Sequence, residues 1–398
     1  MMRLFSLFLI LSLTSVVHAR RNPGPKAGVW RFELKYPNVD VPFLMELEPG
    51  KKGWQATLIN GKERLELDTI VVSKGKWIVP LQTYQNYLEF SALSPTLIRG
   101  HFVKPNKKPE ERIPLEGRPG SFRRFDRNAK KADVNLSGKW AMEITEADGS
   151  KSQAILLLDQ SGNSLQASIL TLTGDYRYID GYVSETSFET GAFDGVFNFV
   201  FKGKLEGKLL SGEIASKSTS KFTAKRDDKV TLPDPLKQTQ VESIDFSFPN
   251  MDGKTVSLSD YKGKPVIIQI FGSWCPNCID ELGFLGPWYE KNKSRGVEII
   301  ALSFERALSP EDALKHLQKV VKKRGIPYPV LLAGTSGADT PATKLPGIKN
   351  FISFPTTIFL NKNHQVHKVH AGFNGPGTGL YYDEFRTMFE KTILELVP

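Results

Sequence analysis

Two kinds of hydrophobic pattern divide the chain. Gly195-Val196-Phe197-Asn198-Phe199-Val200-Phe201 alternates apolar and polar positions, as a strand does with one face on a core and the other in solvent. Lys202-Gly203-Lys204 reads as a turn after it, and Leu205–Gly212 as the next short strand. The same style runs through residues 28–225, where three motifs recur in order. Gly28-Val29-Trp30 returns as Gly138-Lys139-Trp140, Gln55-Ala56-Thr57-Leu58 as Gln166-Ala167-Ser168-Ile169, and Leu97-Ile98-Arg99-Gly100 as Leu209-Leu210-Ser211-Gly212, at offsets of 110, 111 and 112. This predicts two repeated antiparallel all-β modules, residues 20–127 and 128–230, each about 100 residues and able to bury a core by itself. Trp30 and Trp140 read as plugs at the module ends. Arg118–Lys131, carrying Arg123, Arg124, Arg127, Lys130 and Lys131, reads as a solvated basic linker.

Pro233-Asp234-Pro235 marks an extended linker, residues 231–243. Beyond it, over 244–398, the period changes. Lys264–Phe271 is a near-continuous apolar run, as expected of a central strand covered on both faces. A helical pattern follows through Leu282, Leu285, Trp288 and Tyr289. A second amphipathic helix is predicted at Pro310–Lys323, inside a longer stretch, Ala307–Gly347, with Ala313, Leu314, Leu317, Val320 and Val321 on one face. The predicted architecture is therefore multidomain, two all-β modules followed by an α/β domain.

Composition narrows the class. Of 398 residues, 40% are hydrophobic and 24% charged, which excludes disordered and fibrous proteins. The net charge is +10, but residues 233–398 hold 19 Lys+Arg against 17 Asp+Glu, so the excess belongs to the β region. A basic excess in solvated positions does not call for nucleic acid. Met1–Ala19 reads as a signal peptide: Arg3 precedes an apolar run, and Val17-His18-Ala19 places small residues at a cleavage site. That run is shorter than the ~20 residues a membrane span needs. The expected location is periplasmic or secreted.

The two cysteines, Cys275 and Cys278, sit three apart. A disulfide framework and four-cysteine metal sites are excluded. Their place, where the buried strand turns into a helix, explains reactivity. The unpaired N–H groups and positive dipole end of a helix N-terminus stabilise a thiolate, which is the nucleophile. Pro276 suits the first helical turn. Cys278, one turn along the same face, can resolve a mixed disulfide formed at Cys275. A zinc site would need further ligands; His364, His367 and His370 fall in a strand, where His367 and His370 point to opposite faces. No metal or other cofactor is expected beyond a redox-active Cys275–Cys278 disulfide.

Residues 244–398 resemble the thioredoxin-like proteins of the TlpA/ResA group. The resemblance rests on Met251–Lys264 before the strand, Trp274-Cys275-Pro276-Asn277-Cys278 at its end, Glu281 three residues later, Phe354-Pro355-Thr356-Thr357-Ile358-Phe359-Leu360, and His370-Ala371-Gly372-Phe373. It implies a C-terminal α/β thioredoxin-like fold, a mixed central sheet flanked by helices, and thiol-disulfide oxidoreductase activity. It places Pro355 in a cis peptide bond beside the dithiol, makes Trp274, Phe354 and Pro355 the substrate-binding positions, and makes Glu281 the carboxylate that shuttles the Cys278 proton. Gln269 stands where thioredoxin itself has a buried aspartate. Gly283 replaces a proline common in the group, which moves the expected helix kink toward Pro287. Thiol peroxidases carry Thr at the position of Gly272. The Pro276-Asn277 pair lacks the histidine of strong oxidants, so the expected direction is reduction. The implied partners are disulfides in exported proteins, such as apocytochrome c, and a membrane thiol donor of the DsbD/CcdA kind in a Gram-negative bacterium. The alternatives are a binding protein whose β repeats recognise a protein, glycan or envelope partner, and a thiol oxidant, isomerase or peroxidase.

Overall fold

In the first strand, Gly28–Lys35, Trp30, Phe32 and Leu34 are buried while Arg31, Glu33 and Lys35 face outward. The strand pairs antiparallel with Asp40–Gly50 and Glu111–Pro119, within a nine-stranded sheet whose edges are Glu63–Glu66 and Val71–Ser73. These edges do not pair with each other, so the sheet is a half-barrel. Gly138–Thr145 repeats the pattern with Trp140, Met142 and Ile144 inside, paired to Lys151–Ser161 and Thr219–Arg226. Here Lys151–Ser161 also pairs with Ser164–Thr171, which closes the second sheet into a barrel. Trp30 and Trp140 each donate their indole N–H to a carbonyl four residues upstream, Lys26 at 2.8 Å and Leu136 at 2.9 Å.

The structure is a computed structural model and describes residues 24–81, 85–120, 123–125, 128–232, 240–306, 309–335 and 337–397. The leader read over Met1–Ala19 and most of the linker lie outside the described residues.

Three features of the β region differ from the pattern-based expectation. Lys202-Gly203-Lys204 is not a turn. Asn198–Glu206 is one strand, in which Phe199, Val200 and Phe201 are buried in succession rather than alternating as expected of Gly195–Phe201, and the turn falls at Gly207, with φ +62°. A Cβ on Gly203 would lie 2.8–2.9 Å from Phe188, Phe222 and the Ser211 carbonyl, so this glycine answers to packing across the sheet. Secondly, the first module does not complete its core alone. An open sheet leaves apolar side chains uncovered, and Phe193 and Val200 of the barrel cover them. Phe43 and Phe193 stack at 4.0 Å, and Asn60 both donates to and accepts from the Phe193 backbone at 3.1 Å. Thirdly, Arg124 is not solvated. Only 2% exposed, it donates to Asp180 (2.8 Å), Asn60 (2.8 Å) and the carbonyls of Pro42 and Ile59, and so ties half-barrel to barrel. A buried guanidinium with its donors matched in this way is retained because desolvation is compensated by charge-assisted bonds.

The C-terminal region is built on a five-stranded sheet in the order Val330–Gly334, Glu298–Phe304, Val266–Phe271, Thr356–Leu360, Val366–Ala371. The first three strands run parallel and the last two are antiparallel to their neighbours. Every residue of Val266–Phe271 is buried. Ile267, Gln269 and Phe271 face helices α1 (Pro276–Asn292), α2 (Pro310–Arg324) and α4 (Leu380–Leu396), while Ile268 and Ile270 face Leu258, Leu345 and Ile348. The short α3 (Pro341–Lys344) lies between the last parallel strand and the Phe354 loop. Helix α1 continues through Pro287 without interruption. The stretch read as longer than a minimal core supplies α2, whose Leu317 and Val320 are buried, and the Val330–Gly334 edge strand. No described helix is long and apolar enough to cross a membrane.

Candidate active site around Cys275

Cys275 is the N-cap of α1. Its Sγ accepts the Cys278 N–H at 3.4 Å, and its own N–H donates to Gly272 at 3.0 Å, so the chain turns sharply from strand into helix with Pro276 in the first turn. The thiol donates to the Phe354 carbonyl at 3.6 Å. The Phe354–Pro355 bond is cis, and the Pro355 carbonyl accepts the Gly372 N–H at 2.8 Å. The separated Trp274, Cys275 and Phe354-Pro355 motifs therefore meet at one point. Cys275 retains 6% exposure and Cys278 none. Burial pushes the Cys278 thiol well above its ordinary range, with the Cys275 sulfur and the Glu281 carboxylate adding to the rise.

Trp274 covers the approach. Its indole donates to the Phe304 carbonyl at 2.8 Å, meets Phe354 edge-on at 5.2 Å, and carries the Arg306 guanidinium on its face at 3.7 Å. The ring lies across Gly272, where a Cβ would stand 2.3 Å from the indole nitrogen. A threonine at this position, as in the peroxidase arrangement, cannot coexist with the Trp274 ring. Gly272→Ala is accordingly expected to displace the indole, shift its emission, and lower stability by about 1–3 kcal/mol through overpacking. Emission spectra and urea unfolding of the variant check this; an unmoved spectrum and midpoint would contradict the packing described.

Glu281 is fully buried behind the dithiol, not on the helix surface. Thr357 Oγ1 donates to one carboxyl oxygen and Gln269 Nε2 to the other, both at 2.7 Å. Burial outweighs these two bonds and raises its pKa to about 7. Gln269 thus holds Glu281 rather than replacing it. The Gln269 Oε1 and the Tyr328 hydroxyl, which also feels the Glu281 charge, are buried without a partner. Glu305, 4% exposed, accepts Ser273 N–H at 3.1 Å and Ser273 Oγ at 2.6 Å, fixing the turn just before Trp274. Among the described residues no cluster of His, Cys, Asp and Glu could hold a metal ion. His367 instead contacts Glu395 and His370 packs on Phe385.

A Redoxin family profile matches residues 238–383. The thiol-disulfide oxidoreductase ResA of Bacillus cereus is 31% identical over 125 residues, 31% of this chain and 65% of its own length. ResA of Halalkalibacterium halodurans is 30% identical over 132 residues, 33% of this chain and 67% of its own. The chain belongs to the ResA-type, thioredoxin-fold thiol-disulfide oxidoreductases. It spans about two thirds of the length of these relatives, 65% and 67%. Among solved structures, a thioredoxin-family thiol:disulfide interchange protein from Chlorobium tepidum TLS is similar at 22% identity, covering 40% of this chain and 97% of that one with a TM-score of 0.30. A DsbF homologue from Corynebacterium diphtheriae is similar at 23% identity, covering 39% and 94% with a TM-score of 0.31.

The Redoxin profile lies wholly beyond the β modules, yet the barrel reaches its site. Asn277, between the two cysteines, donates to the Asp175 carbonyl at 3.1 Å, across 102 residues of sequence. Asp280, two residues past Cys278, takes a bidentate pair from Arg177 at 2.8 and 3.0 Å. Neither Asp175 nor Arg177 stands out in the sequence, since Gly174-Asp175-Tyr176-Arg177 belongs to no motif. Glu305 is equally silent there, at the end of a strand.

Proposed function

We propose that the protein is an extracytoplasmic reductant of disulfides in exported proteins, acting through Cys275-Pro276-Asn277-Cys278. Cys275 attacks one sulfur of the substrate disulfide; an S–S bond forms to Cys275 and the substrate's other sulfur leaves. Cys278 then attacks Cys275, the mixed disulfide breaks, and the second substrate thiol is released. Two electrons and two protons pass to the substrate, and the Cys275–Cys278 disulfide remains. A membrane thiol donor of the DsbD/CcdA kind returns the electrons. Trp274, Phe354 and Pro355 form the substrate contact, and Glu281 takes the proton of Cys278. In this reading residues 20–127 and 128–230 are repeated modules appended to the catalytic domain 244–398, and 1–19 directs export.

The observation that carries the reading is the pairing of Cys275, which keeps 6% exposure, with a fully buried Cys278 backed by Glu281. The buried thiol is poor at giving up its proton, and a carboxylate with a pKa of about 7 is matched to accept one near neutral pH. The equilibrium reduction potential of the dithiol, followed by Trp274 fluorescence in dithiothreitol buffers, tests it. A value below roughly −240 mV is expected, near thioredoxin-type reductants. A value above about −180 mV would place the protein with isomerases or oxidants.

A further inference from the structure

The turn Leu172–Arg177 joins two strands of the barrel and lands on both loops that flank the dithiol. The Asp175 carbonyl holds Asn277 within the Cys-x-x-Cys segment. Its carboxylate accepts the Gly375 N–H at 2.6 Å, just past the last strand of the C-terminal sheet. Backbone meets backbone here. A Cβ on Gly372 would stand 3.2–3.4 Å from Leu172, Thr173 and Gly174 atoms, and one on Gly174, at φ +136°, 3.1–3.3 Å from the Asn277 amide. Nothing the width of a peptide chain passes between them.

The turn is fixed, not draped. Arg177, 9% exposed, donates to Asp280 of the C-terminal domain, to Asp194 of the barrel at 3.0 Å and to Glu63 of the half-barrel at 2.7 Å. One guanidinium thus ties all three units together beside the dithiol. What remains open beside the dithiol, along its neighbours Trp274, Asn277 and Phe354, is a groove of about 710 Å³. The barrel supplies Thr173 as its bank, and the C-terminal domain lines the groove with Trp274, Asn277, Thr340, Asn350 and Phe354. That volume falls in the range of small-ligand pockets, about 300–1,000 Å³, and takes a few residues of chain. A folded partner instead docks over about 800 Å² per side.

We propose that this turn of the barrel is one wall of the substrate groove, and that it restricts the dithiol to disulfides carried on a single extended segment, keeping folded domains off Cys275. The proposal rests on the oxidoreductase reading and deepens it: the β modules select the substrate rather than acting as a separate binding protein. The exchange itself is unchanged, with two electrons and two protons passing from Cys275 and Cys278 to the segment's disulfide.

Two probes test it with the reduced full-length protein: an unstructured nonapeptide whose single cysteine is disulfide-bonded to glutathione, and insulin, whose disulfides lie on a folded surface. Each rate is divided by the rate of the same probe with dithiothreitol. The peptide is expected to be favoured by at least about tenfold, the discrimination that 1.4 kcal/mol provides. Thr173→Trp, a substitution on the exposed bank, is expected to raise the peptide KM by about tenfold while leaving kcat in place, a split that a general loss of structure does not produce. Arg177→Met releases the turn and is expected to bring the insulin rate toward the peptide rate. Should that variant fail to fold by near-ultraviolet circular dichroism, the wild-type ratio and Thr173→Trp still decide. Equal normalised rates for the two probes, or an unchanged peptide KM in Thr173→Trp, would overturn the wall. If neither probe is reduced while dithiothreitol reduces both, the oxidoreductase reading itself falls and the wall with it.

Discussion

Cys278→Ser is expected to accumulate a covalent complex with its substrate through Cys275, while Cys275→Ser loses turnover to the uncatalysed background. The asymmetry follows from depth. Cys275 keeps 6% exposure and Cys278 is fully buried one helical turn behind it, so only Cys275 meets an incoming disulfide. Removing the second thiol leaves the first exchange intact and blocks the second. The precedent for deleting an enzymic nucleophile is a loss on the order of 10⁶-fold. A serine hydroxyl at the apolar Cys278 site costs about 1–3 kcal/mol if it finds no partner, so circular dichroism of the variant accompanies the assay. Non-reducing gels of the Cys278→Ser protein incubated with envelope extract, resolved again after dithiothreitol, read the outcome. A trap that stays empty, or one equally populated in Cys275→Ser, would count against the assigned order of attack.

Glu281→Gln carries the second large effect, and it has a sign in pH. The carboxyl is raised from its ordinary 4.5 to about 7 by burial. As a proton acceptor for Cys278 it must be ionised, so wild-type activity is expected to rise with pH through about 7. In Glu281→Gln that step should vanish, and the rate above it should fall by about 10²–10⁴-fold, the usual worth of a positioned acid or base. Stability moves the other way. A carboxyl whose folded pKa is raised contributes stability that is full below the unfolded value and lost as pH rises through the folded one. The wild type should therefore weaken relative to Glu281→Gln between about pH 4.5 and 7, by up to about 3 kcal/mol at 1.36 kcal/mol per unit. Asp175, also buried and raised to about 7, titrates in both proteins and cancels from the difference. Urea unfolding of the reduced pair at pH 5 and pH 8 checks it. A difference that does not change with pH would mean that Glu281 is ionised throughout.

Gln269 shows how a local reading was right in type and short in consequence. Its position in a strand of six buried residues was legible as a polar group in an apolar run. Its partner was not, because Glu281 lies 12 residues on and Thr357 76 further. Only the sheet, which sets Val266–Phe271 against Thr356–Leu360, brings both donors to one carboxylate. The half-barrel teaches the same lesson about burial. Along Gly28–Lys35 the structure buries Trp30, Phe32 and Leu34 in alternation, and no local pattern shows that Phe193, from another sheet, lies among them.

What this sequence determined by itself is local in cause: a buried strand running into a proline-started helix, two thiols one turn apart, and strands whose faces alternate. Those properties depend on residue type and on spacings of a few positions, which fixed helical and pleated periods turn into geometry. What the tertiary structure decided is the surroundings of each charge and each opening. Arg124 read as solvated and is buried at 2%; Glu281 is desolvated by elements from three parts of the chain; and the turn that walls the dithiol comes from 102 residues upstream of Asn277. Electrostatic energy and access depend on everything within a few ångströms, whatever its distance along the chain, and that set is assembled only by packing.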